Sequence, residues 1–208
     1  MAGSQFDTLN SPIFLTRRAV LSQCGDMDHE IRRQYGILRQ AYPPGEPITV
    51  LHIGADQTGI ATGAGEKADA VMVLAIGSTR TASDFFKHSP PVPHELETAI
   101  MVVEDEVTRA RKMVAGHATL LTADPDIRDI ARMARATVQD DDGLVVAAAT
   151  SLSVEAVERV FDLLAAVSLG RPAASAGIPS DPEFAATLLI LRELMHHLQF
   201  ASVRILAR

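Results

Sequence analysis

The chain has 208 residues, a formal net charge of −7 and 47% hydrophobic residues. That length fits one domain, and that apolar content supports a packed core and excludes a disordered chain. An acidic chain without a basic run is not expected to bind nucleic acid or an anionic membrane surface.

From the amino terminus, Ser11-Pro12 is a helix start, serine as N-cap and proline at the first helical position. That helix is expected to run to about Cys24. Asp26 then caps a second helix, with Ile31, Tyr35, Leu38 and Tyr42 at helical spacing. "YPPGEP" ends it. Cys24 is the single cysteine, so no intramolecular disulfide forms and no activating base accompanies it. "MAGSQFDTLN" lacks a leader pattern, and no apolar run reaches the roughly 18 residues of a spanning helix. A cytoplasmic protein without a membrane segment is therefore expected.

Three short strands follow, Thr49–Ile53, Gly59–Gly63 and Ala70–Ile76, separated by turns short enough for an antiparallel meander. "HSPPVP" is a rigid connector into a helix from His94, striped by Leu96, Ile100, Val103, Val107, Ala110 and Val114. The acidic run Glu104-Asp105-Glu106 reads as its solvated face, with Asp105 spaced to pair with Arg109. "ATLLTA" is a buried strand, Asp124-Pro125 caps the next helix, and "GLVVAAA" is an ambiguous strand candidate. "QDDDGL" lacks the later ligand positions of a calcium loop and reads as an acidic turn. A helix over Val154–Val167, a loop over Ser168–Pro182, a helix opened by a Ser180/Glu183 capping box, and the strand "SVRIL" complete the chain. The order αα-βββαβα-αα-β predicts one α/β domain with a mixed sheet and helices on both faces. Residues 1–47 form a helical entry segment and residues 48–208 the core.

"ITVLHIGADQTGIATGAG" (residues 48–65) is a strand, a small glycine-containing turn and a second strand. Turns of this kind hold phosphoryl groups on backbone N–H donors. Together with Asn10, Phe14-Leu15, "HEIRRQYGIL", "LAIGSTRTASDFF" with Gly77, Arg80 and Phe85, and "LS…EAVERVFDLLAAVSLGRP…GIP", it resembles the exopolyphosphatase / guanosine pentaphosphate phosphohydrolase family. The resemblance implies a ribonuclease-H-like subdomain of the actin-like, sugar-kinase and Hsp70 ATPase superfamily. It covers nearly the whole chain but begins about one subdomain late, so the family's first subdomain would lie upstream. Substrate in that family sits between the two subdomains.

In the family, an Asp-Ile-Gly-Gly-Gly-Ser-Thr-Glu turn positions a metal and the attacking water, and a helix Glu is the base. Carried over residue by residue, Glu30 matches the helix Glu, His52 stands for the Asp and Gly59 for the final Glu. Gly54 and Thr58 remain as phosphate-binding candidates, with Arg80 from the later motif. Ala55-Asp56-Gln57 replaces the donor-rich stretch, and imidazole is a poor ligand for Mg²⁺. Asp56 sets a negative charge where phosphate would approach. At about 4 Å and an effective dielectric of about 20, like charges repel by roughly 4 kcal/mol. Where the family has a second glycine-rich turn and an arginine, this chain has "TADPDIRDIA", keeping Arg128 but placing Asp124, Pro125 and Asp126 in the turn.

The resulting expectation is a non-catalytic relative that needs no cofactor and works as a homodimer, with a protein partner, or by holding a phosphate-containing small molecule. The alternative is a phosphohydrolase acting on polyphosphate or guanosine pentaphosphate-type substrates with Mg²⁺, Glu30 as base and a second subdomain in trans. Each candidate also has a plainer reading. Glu30 is then a solvated charge, and a register slip of one puts His29 in its place. His52 is a hydrogen-bonded strand histidine, the alternative being a ligand shared with Asp56. Asp56 bonds its own turn, Thr58 only favours the strand, and Arg80 pairs with a surface carboxylate. His196 and His197 lie about 100° apart on a helix, the wrong spacing for a metal pair.

Overall fold

A computed structural model describes residues 12–114, 118–136 and 150–206, with side chains for 26–114, 118–135 and 151–206. The elements in order are α1 (Pro12–Gln40), β1 (Ile48–Ile53), β2 (Thr58–Gly63), β3 (Ala70–Leu74), α2 (Ser78–Phe85), α3 (Pro93–Thr108), β4 (Thr119–Thr122), α4 (Pro125–Ala136), β5 (Thr150–Ser153), α5 (Val154–Ser168), α6 (Ala173–Ala176), α7 (Pro182–His197) and β6 (Ser202–Ile205). The strands form one sheet in the order β3-β2-β1-β4-β6-β5. The β1-β2 and β2-β3 pairs are antiparallel, β1, β4 and β6 run parallel, and β5 returns antiparallel beside β6. This is the expected ribonuclease-H-like mixed sheet with one further edge strand.

The alternation of β1 explains the two layers. Ile48 and Val50 pack with Ile31, Tyr35 and Leu38 of α1 on one face. Leu51 and Ile53 point to the other face, into a larger core built around α7. Ten residues of α7 are buried, Ala185 through Leu191 together with Glu193, Leu194 and Met195, so α7 is the central helix of that layer. Helices α2, α3, α4 and α5 all touch it. Residue His52, two positions after Val50, therefore falls on the α1 face.

Several local expectations need correction. The two amino-terminal helices are one, because Gly25 does not break the run; a single glycine costs only about 1 kcal/mol in a helix. Residues Ser78–Phe85, expected only as a motif after β3, form α2, which shortens β3 to Leu74. Asp181 caps α7, accepting from the Glu183 amide at 3.1 Å, in place of Ser180. Arg109 bonds Glu106 in place of Asp105. The stretches 139–144 and 143–149 lie outside the described residues, as do Asn10 and the side chains of Phe14, Leu15 and Cys24. Among the described residues no helix is long and apolar enough to cross a membrane.

Candidate functional site

The turn between β1 and β2 stands at the carboxyl end of β1, the end at which open α/β sheets take ligands. It closes a depression of about 410 Å³ lined by Asp26, Met27 and Glu30 of α1, His52 and Gly54 of β1 and the turn, and Ala55, Asp56 and Gln57. The structure thus brings Glu30, His52, Gly54 and Asp56 together. Residues Thr58 and Arg80 do not line it.

Backbone groups of the turn are engaged by the chain itself. The Gly54 N–H donates to the Gln57 carbonyl at 2.9 Å, closing a two-residue loop over Ala55-Asp56. The Gly54 carbonyl accepts from Ser78 N–H at 2.9 Å, and the Ala55 carbonyl accepts from Arg80 N–H at 3.0 Å. Those are amides of the first turn of α2, donors that a helix otherwise leaves open to an anion. The contact depends on Gly77, whose ideal Cβ would lie 2.5 Å from Ala55 O and 2.6 Å from Gln57 N. The Thr58 hydroxyl is fully buried and donates to the Ile76 carbonyl at 2.8 Å. The Arg80 side chain approaches Asp84 one helical turn later, at 3.7 Å.

His52 is held by Asp124. Its Nδ1 lies 2.6 Å from Asp124 Oδ1, and Asp124 Oδ2 accepts the Ile53 N–H at 2.8 Å. A carboxylate only accepts, so Nδ1 carries the hydrogen of that bond. Asp124 is 3% exposed, and its own carbonyl accepts the Arg128 amide at the start of α4. The residue read as a helix cap thus sends its carboxylate across to β1. Nothing in the spacing of His52 and Asp124, 72 residues apart, announces that bond. Arg128 donates to the Leu206 carbonyl at 3.1 Å, tying α4 to the end of β6.

Glu30 accepts two bonds from Arg33, at 2.8 and 2.6 Å, and one from Gln34 at 2.8 Å. The Arg33 hydrogen bond lowers its pKa most, burial opposes, and Gln34 and the nearby His52 add to the lowering, leaving the carboxyl at about 2. A base works best with a pKa near the working pH, so a carboxylate held this low draws a proton from water weakly. At the other family acid position, Gly59 pairs with His52 and faces α1; a Cβ there would lie 2.8 Å from Ile31 Cβ and 3.0 Å from Met27 Sδ. Met27 fills the space that a longer side chain at 59 would need. Among the described residues, no group of three or more His, Cys, Asp or Glu is placed to hold a metal. The residues present do not fit Mg²⁺, which prefers an octahedral array of oxygens: the Glu30 carboxylate is bonded to Arg33 and Gln34, and that of Asp124 to His52 and the Ile53 N–H. His196 bonds Glu158, and His197 lies 3.3 Å from Glu193 and 3.6 Å from Glu104, so both histidines join carboxylates between helices.

No protein-family model matches the chain, and no curated protein matches it by sequence. Solved structures do. A Ppx/GppA enzyme of Aquifex aeolicus superposes with a TM-score of 0.69 at 19% identity, over 86% of this chain and 60% of that one. A second Aquifex aeolicus structure, described as a Ppx/GppA family member, gives 0.66 at 18%, over 86% and 58%. An exopolyphosphatase from Cytophaga hutchinsonii gives 0.65 at 15%, over 88% and 60%. The chain therefore spans less than two thirds of the length of these relatives. At such identities the likeness establishes architecture: over most of its length this chain has the fold of the Ppx/GppA exopolyphosphatases.

Proposed function

We propose that this chain is a non-catalytic relative of the Ppx/GppA phosphatases that acts by self-association, with a second copy of itself as first partner. A protein partner or a phosphate-bearing small molecule fits the same reading less directly. It needs no cofactor, and a chain with one cysteine suits a reducing cytosol. The observation that carries the proposal is the closure of the β1-β2 turn on α2 through Gly54, Ala55, Ser78 and Arg80. Two amides of the first turn of α2, which could hold an anion there, are already taken by the turn's carbonyls, and the Gly54 amide is taken by Gln57. The three carboxylates Asp26, Glu30 and Asp56 around the depression oppose an anion further.

Phosphate release from polyphosphate and guanosine pentaphosphate, with Mg²⁺ or Mn²⁺, tests it. The expected result is no release above a protein-free blank, the same for wild type and Glu30→Gln. Release that requires Glu30 would overturn the proposal in favour of a phosphohydrolase.

A further inference from the structure

We propose that the depression between α1 and the β2-β3 hairpin binds a small phosphate-bearing molecule. It measures about 410 Å³, and His29, Arg32, Arg33 and Gly36 of α1 line it together with Glu66 and Lys67 of the hairpin. The four α1 residues stand at i, i+3, i+4 and i+7, which is one stripe along a helix. The hairpin is tied to α1 by the Tyr35 hydroxyl, which donates to the Gly65 carbonyl at 3.0 Å. Within the hairpin, Asp69 N–H donates to the Thr62 carbonyl at 2.9 Å and Ala64 N–H to the Asp69 carboxylate at 3.3 Å. Basic side chains therefore meet from two elements whose spacing the fold sets. The two depressions beside α1 also differ in sign. Asp26, Glu30 and Asp56 line the one at the β1-β2 turn, and none of the three lines this one.

Both arginines are held by the same edge. Arg32 donates from Nε and Nη2 to the Asp28 carboxylate at 2.8 and 3.3 Å. Arg33 donates from Nε and Nη2 to the Glu30 carboxylate at 2.8 and 2.6 Å. A guanidinium has five N–H donors, so the Nη1–Nη2 fork of each is left for a further acceptor. Held this way, each arginine has already lost part of the side-chain freedom that binding would cost. Lys67 forms no ion pair among the described residues. A carboxylate has two oxygens and fills one fork. A terminal phosphate group has three, enough to accept from two guanidiniums and an ammonium at once, and that favours phosphate.

Gly36 supplies room, since a Cβ built on it would meet no atom within 4 Å. Glu66 opposes an anion, and Asp28 and Glu30 offset part of the arginines' charge. Affinity therefore rests on direct N–H bonds more than on the local field. A Kd of about 1 mM at low salt is expected, weakening as salt is added. Binding here requires neither turnover nor a second copy of the chain.

Amide chemical shifts of the full chain, followed while inorganic pyrophosphate is added without divalent metal, are the test. Citrate serves as a polyanion without phosphate. Lys67→Gln removes a donor, and Gly36→Glu sets a carboxylate in the open space at a helix position where glutamate is a better helix former than glycine. Glu66→Gln removes the opposing charge. The expected result is a saturable shift at His29, Arg32, Arg33, Gly36 and Lys67 with pyrophosphate and a weaker one with citrate. The Kd should rise at least about fivefold in Lys67→Gln and in Gly36→Glu, and fall about twofold in Glu66→Gln. No saturable shift at these amides, or a Kd that neither Lys67→Gln nor Gly36→Glu changes, overturns the site and leaves the non-catalytic reading standing. Equal binding of citrate overturns the assignment to phosphate. Saturable shifts at Ala55, Asp56 and Gln57 instead overturn both the site and the closed turn.

Discussion

The turns after β1 and after β4 stand side by side at the carboxyl ends of parallel strands, yet they are closed by opposite means. The β1-β2 turn is closed by missing side chains: Gly77 lets the start of α2 reach the carbonyls of Gly54 and Ala55. The β4-α4 turn is closed by an added one: the Asp124 carboxylate crosses to Ile53 N–H and His52. The carboxyl end of a parallel strand can thus be closed by backbone or by charge. The first seal breaks when atoms are added, the second when they are removed.

The largest expected effect follows from adding one carbon. Gly77→Ala sets a Cβ against three backbone atoms at 2.5 to 2.6 Å, none of which can rotate away. Urea unfolding should show a loss of about 3 kcal/mol. Removing the charge comes next. Asp124→Ala leaves the buried Ile53 N–H without its acceptor, and a loss of about 2 kcal/mol is expected. An Asp124→Ala cost below that of Gly54→Ala would reverse the comparison. Gly54→Ala should cost only about 1 kcal/mol, because the nearest atom to its Cβ is the terminal methyl of Met27, at 2.7 Å.

Acid separates the two seals differently. The backbone seal does not titrate, but the depression beside it does. Glu30 sits at about 2 in the fold against an ordinary 4.5, so its contribution is complete above pH 4.5 and fades as pH falls toward 2. Stability measured between pH 5 and pH 2 should fall less steeply in Glu30→Gln than in wild type. The smallest effect belongs to Asp126, raised by burial and by Asp124, Asp129, Glu183 and Asp181. A raised carboxyl favours the fold while protonated and disfavours it once ionised. Asp126→Asn should therefore stabilise slightly at pH 7, on the order of 0.3 kcal/mol given its exposure.

The fold was legible where period and punctuation agreed. The stripe from Leu96 to Val107 marks α3, "ATLLTA" marks β4, and three short runs broken by turns mark the meander. α2 was not, because "STRTASDF" is polar, and it is held in part by the turn that its amides cap, a tertiary contact. α1 ran through Gly25 because packing of Ile31, Tyr35 and Leu38 on the sheet decides a helix more than one weak position does. At the site, Glu30, His52, Gly54 and Asp56 could be gathered by likeness to a motif. The bond from Asp124 to His52 could not be, because local spacing carries no information about a carboxylate arriving from the next parallel strand.

Under the proposed function, the turn after β1 offers no anion seat. Amide chemical shifts of Gly54, Ala55, Asp56, Gln57, Ser78 and Arg80, followed while short-chain polyphosphate is added, test it most directly. No saturable change is expected at any of the six. A saturable shift centred on Ala55, Asp56 and Gln57, with loss of the Ser78 and Arg80 bonds to the turn, would contradict it.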